Sequence, residues 1–209
     1  MIPAEVGRGG TLWLARHADV HNPQKIFYGR LTRFRLSKLG EQQATELGDY
    51  LSDKPLTALY CSPLLRTRQT AEAVAKCHAG LKVQTNQRLL EVRTNYQGVP
   101  LADLGDFNFY EPMAQPTDET LEELCERLLE FTRWAMNRHK GETIASVSHG
   151  DPVVVLHAYY TGLPLRLASL RRPNFYPERA SVTRYDFPPE GFTKDPRRVR
   201  VSYYEVPTK

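Results

Sequence analysis

Two short stretches hold residues able to do covalent chemistry: Arg16-His17 near the start of the chain and Ser148-His149-Gly150 far downstream. Histidine ordinarily titrates near about 6.5, so a neutral, nucleophilic imidazole is available at neutral pH, and nearby arginines favour that form further. An imidazole that attacks phosphorus forms a phosphohistidine, which water or another hydroxyl then resolves. The transferring group spreads negative charge over three oxygens and needs fixed cationic donors around it. Arginine suits that task because its planar fork reaches two oxygens at once. Arg16 and Arg66 are the candidates, and a protonated His149 would be a third cation. The leaving alkoxide needs a proton, for which Glu91 is the candidate. Burial beside a dianion would raise its pKa and keep it protonated.

These residues need elements that bring them together. Residues 11–16, 56–61 and 143–148 each read as a short buried strand, too short for a helix and ending in a loop or helix start. A weaker strand is expected at 83–86, just before Glu91. Ser37 reads as the N-cap of an amphipathic helix running to about Ser52. Ser62-Pro63 reads as a helix start, with the helix running to about Cys77 and Arg66 in its first turns. Residues 118–137 form the clearest helix, lined by Leu121, Leu124, Leu128, Phe131 and Ala135. A further helix is expected over 152–160, followed by two antiparallel strands over 180–187 and 199–205. Strands alternating with helices predict a three-layer α/β/α fold, with a mostly parallel central sheet and helices on both faces. Ligands bind at the carboxyl ends of such strands, where His17, Ser62 with Arg66, and His149 all fall. Two irregular loops, 18–35 and 94–116, remain. The first is polar, aromatic and basic, with Tyr28, Arg30 and Arg33. The second holds Tyr96, Phe107, Phe109 and Tyr110 and is long enough to be functional.

The bulk properties narrow the classes. With 209 residues, 41% apolar and 25% charged, the chain fits one soluble domain over 1–209. No apolar run approaches the roughly 18 residues of a membrane span. Residues 1–10 lack the apolar core of an export signal, so the cytoplasm is expected. Cys61, Cys77 and Cys125 are widely spaced and odd in number, which suits reduced thiols. A net charge of +4 and a pI near 9.0 fit either nucleic acid or a small anion. No nucleic-acid-binding signature is present, and the basic residues of 166–184 and 194–200 read as a solvated face.

The residues also resemble a known family. Leu14-Ala15-Arg16-His17-Ala18 is similar to the Arg-His-Gly signature of the histidine phosphatase superfamily, phosphoglycerate-mutase-like branch. The resemblance continues, in the family's order, through residues 36–44, Ser62-Pro63-Leu64-Leu65-Arg66-Thr67-Arg68-Gln69-Thr70-Ala71, Arg88-Leu89-Leu90-Glu91 and Val147-Ser148-His149-Gly150. It implies a phosphate pocket of Arg16, His17, Arg66 and His149, with His17 phosphorylated and Glu91 as proton donor. It further implies substrate contacts from Asn22, Gly29 and Gly150, and no metal or other cofactor. The chain departs from the family in several places: Ala18 stands where glycine is usual and Asp19 where glutamate or glutamine is, Asn22 falls one position early, and the pattern expected after the acid is absent.

The expected activity is therefore a metal-independent phosphomonoesterase acting on a small phosphorylated metabolite, with neither nucleic acid nor membrane as partner and a homodimer left open. Two alternatives stand beside it. A mutase-type phosphotransferase would respond to 2,3-bisphosphoglycerate when given 3-phosphoglycerate. A phospho-ligand binding module would hold phosphate without turnover. A metal site built from His17, His21, His149 and Asp151 has no trusted ligand spacing, and the arginines argue against it.

Overall fold

The computed structural model describes residues 9–105, 110 and 115–206. Phe107, Phe109 and residues 1–8 lie outside the described residues. A six-stranded sheet runs through the molecule: β1 (Thr11–Arg16), β2 (Leu56–Cys61), β3 (Val83–Thr85), β4 (Thr143–Ser148), β5 (Val182–Asp186) and β6 (Arg200–Tyr204). Their order is β3-β2-β4-β1-β5-β6. The first four are parallel; β5 pairs antiparallel with β1, and β6 antiparallel with β5.

Strand alternation sorts the core into two layers. Leu12, Leu14, Ala58, Tyr60 and Ile144 face one side and pack on α3 (Leu121–Arg138) and α4 (Gly150–Tyr160). Trp13, Ala15, Leu59, Cys61, Ala145 and Val147 face the other and pack on α1 (Lys38–Leu51) and α2 (Leu65–Lys76). A four-residue helix, α5 (Leu167–Leu170), completes the set. No described helix is long and apolar enough to cross a membrane.

Helix starts show where tertiary demands override local signals. α1 begins as expected, with the Ser37 hydroxyl accepting from the Gly40 N–H at 3.0 Å. α2 does not begin at Ser62-Pro63 but at Leu65. The Ser62 hydroxyl is 2.8 Å from His149 Nε2, and its other contact, the Leu64 N–H at 3.5 Å, lies ahead of the helix. α3 begins at Leu121 rather than near Asp118, closed by a reciprocal Thr120–Glu123 capping box. The Asp118 carboxylate instead accepts from the Asn95 and Gln115 backbone N–H groups and tacks down the preceding loop. α4 opens two residues earlier than expected, directly from His149.

The register aligns the carboxyl ends. Arg16 pairs with Ser148, and Cys61 with Val147. His17, Ser62 and His149 thus leave three adjacent strands at the same edge. Glycine at position 40 lets α1 approach the turn after His17, because an added Cβ would stand 2.0 Å from the Asp19 carbonyl oxygen. Gly40→Ala gains helix propensity of up to about 1 kcal/mol but must push backbone against backbone, a clash costing about 1–3 kcal/mol or more. The expected result is a net loss of stability in urea unfolding; an unchanged midpoint would show that the contact is soft.

Candidate active site

His17 is 1% exposed and sits in the first turn after β1. Its Nδ1 lies 2.8 Å from the Ala18 carbonyl oxygen, which can only accept, so Nδ1 carries the proton. Nε2 is then a lone pair, and it receives Arg66 Nε–H at 3.2 Å and Arg179 N–H at 3.4 Å. Burial first, and then the positive charge of Arg66 and Arg179, hold the imidazole well below its ordinary pKa. The ring is therefore neutral, with its nucleophilic atom turned toward two guanidinium groups.

Arg66 is fully buried and ties the site together. It donates to His17 Nε2, to His149 Nδ1 at 3.1 Å, and to the carbonyls of Gly29 at 2.6 Å and Leu31 at 3.3 Å. The phenol ring of Tyr28 lies 4.8 Å from its guanidinium carbon. Because His149 accepts at Nδ1, it donates from Nε2 to Ser62. This corrects the expectation of a protonated His149: it is a neutral relay, its pKa lowered first by burial and then by Arg66.

Arg16 points into the same cavity, its guanidinium over the Tyr176 ring at 5.1 Å and donating to the Pro177 carbonyl. Gly29 lines the cavity with φ +37°, where a side chain is strained. Asn22 does not reach the cavity lining. Its side-chain amide bonds the Ile26 backbone in both directions, at 2.8 and 3.3 Å, and so shapes the loop. Gly150 makes room, since a Cβ there would fall 2.1 Å from the Tyr176 hydroxyl. Ala18 keeps a negative φ, so its methyl group brings no backbone strain. Asp19 is structural and accepts from the Ser37 N–H and hydroxyl at the head of α1.

Glu91 lines the cavity beside Asp151, both nearly buried. Burial, followed by the like charge of Asp151, pushes its pKa up from 4.5 to about 7, while Val92 N–H, Arg66 and Arg16 oppose the rise. Its peptide is clamped from behind: Arg30 and Arg127 donate to the Glu91 carbonyl at 2.7 and 3.4 Å, and both pair with Glu119. The folded state binds this proton more tightly than the unfolded chain. Its contribution to stability is thus full below about pH 4.5 and is lost as pH rises through about 7. Glu91→Gln should accordingly flatten the decline of stability between those values, measured as denaturation midpoints across pH. The same variant should depress turnover of alkyl phosphates at least tenfold more than that of p-nitrophenyl phosphate, whose leaving group needs no acid. Equal losses would remove Glu91 from that role.

Arg179, Tyr176 and Arg171 line the cavity although the sequence reading gave them no role, and Asp151, weighed there only as a metal ligand, lines it too. Tyr176 donates to Asp151 Oδ1 at 2.8 Å and positions that carboxyl in the first turn of α4. The Arg-Arg pair at 171–172 and Arg179 lay inside the stretch read as a solvated face. Among the described residues no group of three or more histidines, cysteines or acids could hold a metal, the set of His17, His21, His149 and Asp151 included.

The sequence pattern of the histidine phosphatase superfamily (branch 1) matches residues 12–196. The chain belongs to that superfamily. It is an enzyme of the phosphoglycerate-mutase-like phosphatase kind. Among similar proteins, an uncharacterised Mycobacterium tuberculosis protein is 33% identical over 158 residues, covering 71% of this chain and 77% of that one. Phosphoserine phosphatase 1 of Hydrogenobacter thermophilus is 28% identical over 165 residues, covering 74% and 77%. Among solved structures, Bacillus stearothermophilus YhfR superposes with a TM-score of 0.76 at 27% identity, covering 85% of this chain and 91% of that one. In this histidine phosphatase, the antiparallel β5 sets Val182 opposite Ala15 and so brings the preceding residues, Arg179 among them, over His17.

Proposed function

We propose that the chain is a metal-independent phosphomonoesterase that works through phosphohistidine at His17. The observation that supports this most is the tautomer of His17, with Nδ1–H anchored on Ala18 and the Nε2 lone pair facing Arg66 and Arg179. Nε2 attacks phosphorus as the bond to the ester oxygen breaks. The proton of Glu91 goes to the departing alkoxide, while Arg16, Arg66 and Arg179 offset the charge on the three phosphoryl oxygens. Glu91, now a carboxylate, takes a proton from water, whose oxygen attacks the phosphohistidine. Inorganic phosphate leaves and Nε2 regains its lone pair.

The same reading makes 1–209 one catalytic domain. It also places the enzyme in the cytoplasm, a compartment suited to the unpaired Cys61, Cys77 and Cys125. The test is release of phosphate from p-nitrophenyl phosphate after exhaustive dialysis against EDTA. Full activity is expected. Activity that disappears and returns only with a divalent cation would overturn the metal-independent mechanism.

A further inference from the structure

The cavity that holds His17 is about 480 Å³, much larger than a phosphoryl group needs. Besides its charged groups and tyrosines, the lining carries a large apolar share. Phe27 and Ile26 come from the loop after β1, Leu101 and Leu104 from a 3-10 turn and its cap, and Leu167 and Leu170 from α5. The first two wall segments are stitched together by backbone hydrogen bonds, Phe27 to Val99 at 2.8 Å, Gly98 to Phe27 at 2.8 Å and Leu101 to Lys25 at 2.8 Å. These walls are therefore a joined surface rather than two independent loops.

Charge points the same way. Arg16, Arg66 and Arg179 are gathered round His17. Away from it, Arg171 is the one further cation among the described lining residues, and it faces the carboxyl of Asp151. The wall residues Leu101, Leu104 and Tyr110 bring no cation to it. A second phosphate or a carboxylate on the substrate would meet apolar carbon there or the carboxyl of Asp151. We infer that the substrate is a phosphomonoester whose phosphate is its sole anionic group, carried on an apolar or aromatic body that fills the far end of the cavity. Multiply anionic metabolites such as bisphosphates and phosphoglycerates are excluded by the same walls. The inference rests on the phosphatase reading for its anionic end only.

The n-alkylphosphonates, which cannot be hydrolysed, test the wall separately from the chemistry. Their affinity for the full chain, read by calorimetry, should rise about three- to fourfold per methylene from methyl to butyl. Leu104→Asp should flatten that dependence. A flat series in the wild type, no binding of any member, or tighter binding of 3-phosphoglycerate than of butylphosphonate would overturn the inference. Hydrolysis of p-nitrophenyl phosphate, measured alongside, reports on the phosphatase reading alone. A rising phosphonate series without turnover supports the apolar site and sinks the phosphatase; turnover with a flat series does the reverse.

Discussion

Replacement of His17 by alanine should lower phosphatase activity by at least about 10⁴-fold, since loss of a nucleophile removes the chemical path rather than one contact along it. His17 alone turns an imidazole lone pair toward the cavity cations Arg66 and Arg179, whereas His149 spends Nδ1 on Arg66 and Nε2–H on Ser62. His149 thus offers no substitute. Wild-type enzyme quenched in alkali during turnover should carry phosphate that is stable to base and released by acid; His17→Ala should carry none. His17→Asn keeps a side-chain amide that can bond Ala18 or Arg66, so it separates lost chemistry from lost structure. Both variants should melt cooperatively. If either retains more than a few per cent of the wild-type rate, the nucleophile lies elsewhere.

Arg66→Ala is the second large effect. Its guanidinium stays charged at neutral pH even though burial lowers its pKa from 12.5 to about 10. Removing one preorganised donor to a transferring group typically costs about 10²–10³ in rate, and Arg66 also orients both His17 and His149. A loss on the order of 10³-fold in kcat/KM is expected. Arg66→Lys should recover less than about tenfold of this. An ammonium is a point charge and cannot reach two histidines and two carbonyls together. Stability reports the same residue independently. Phosphate bound to the folded state alone raises the unfolding free energy by about 2.7 kcal/mol at a hundredfold excess over its Kd. That increment should be present in the wild type and largely absent in Arg66→Ala. A variant still stabilised by phosphate as strongly as the wild type would show that Arg16 and Arg179 suffice for the anion.

Much of this was legible in the chain because the decisive signals were local. The bounds of β1, β2 and β4 follow from short apolar runs that stop abruptly, and His17 and His149 fall at those stops by adjacency alone. Ser37 caps α1 with its own hydroxyl, an interaction that spans three residues. What was not legible depends on partners distant in sequence. Ser62-Pro63 carries every local mark of a helix start, yet its serine is claimed by His149, so the helix begins later. Asp118, the expected start of α3, lies ahead of the helix and accepts from the Asn95 N–H. Arg179 lies in an irregular stretch with no periodicity, and only the antiparallel pairing of β5 with β1 carries it to His17. The protonated His149 expected from charge alone failed for a related reason: a buried ring already next to Arg66 cannot take on a second positive charge.

That antiparallel strand also sets the order in which the enzyme comes into being. β1 emerges first during synthesis, but its two neighbours in the sheet are β4 and β5, the latter near the other end of the chain. The backbone beside His17 is closed by late residues, with Arg16 N–H bonded to the Ser181 carbonyl at 3.0 Å and Ala180 N–H to the His17 carbonyl at 3.4 Å. Contacts of such long sequence separation form slowly, because the intervening chain must be ordered before they reward it. A ribosome-bound fragment that stops before β5 therefore has His17 without the strand that seats it, and the site is complete only once β5 pairs with β1.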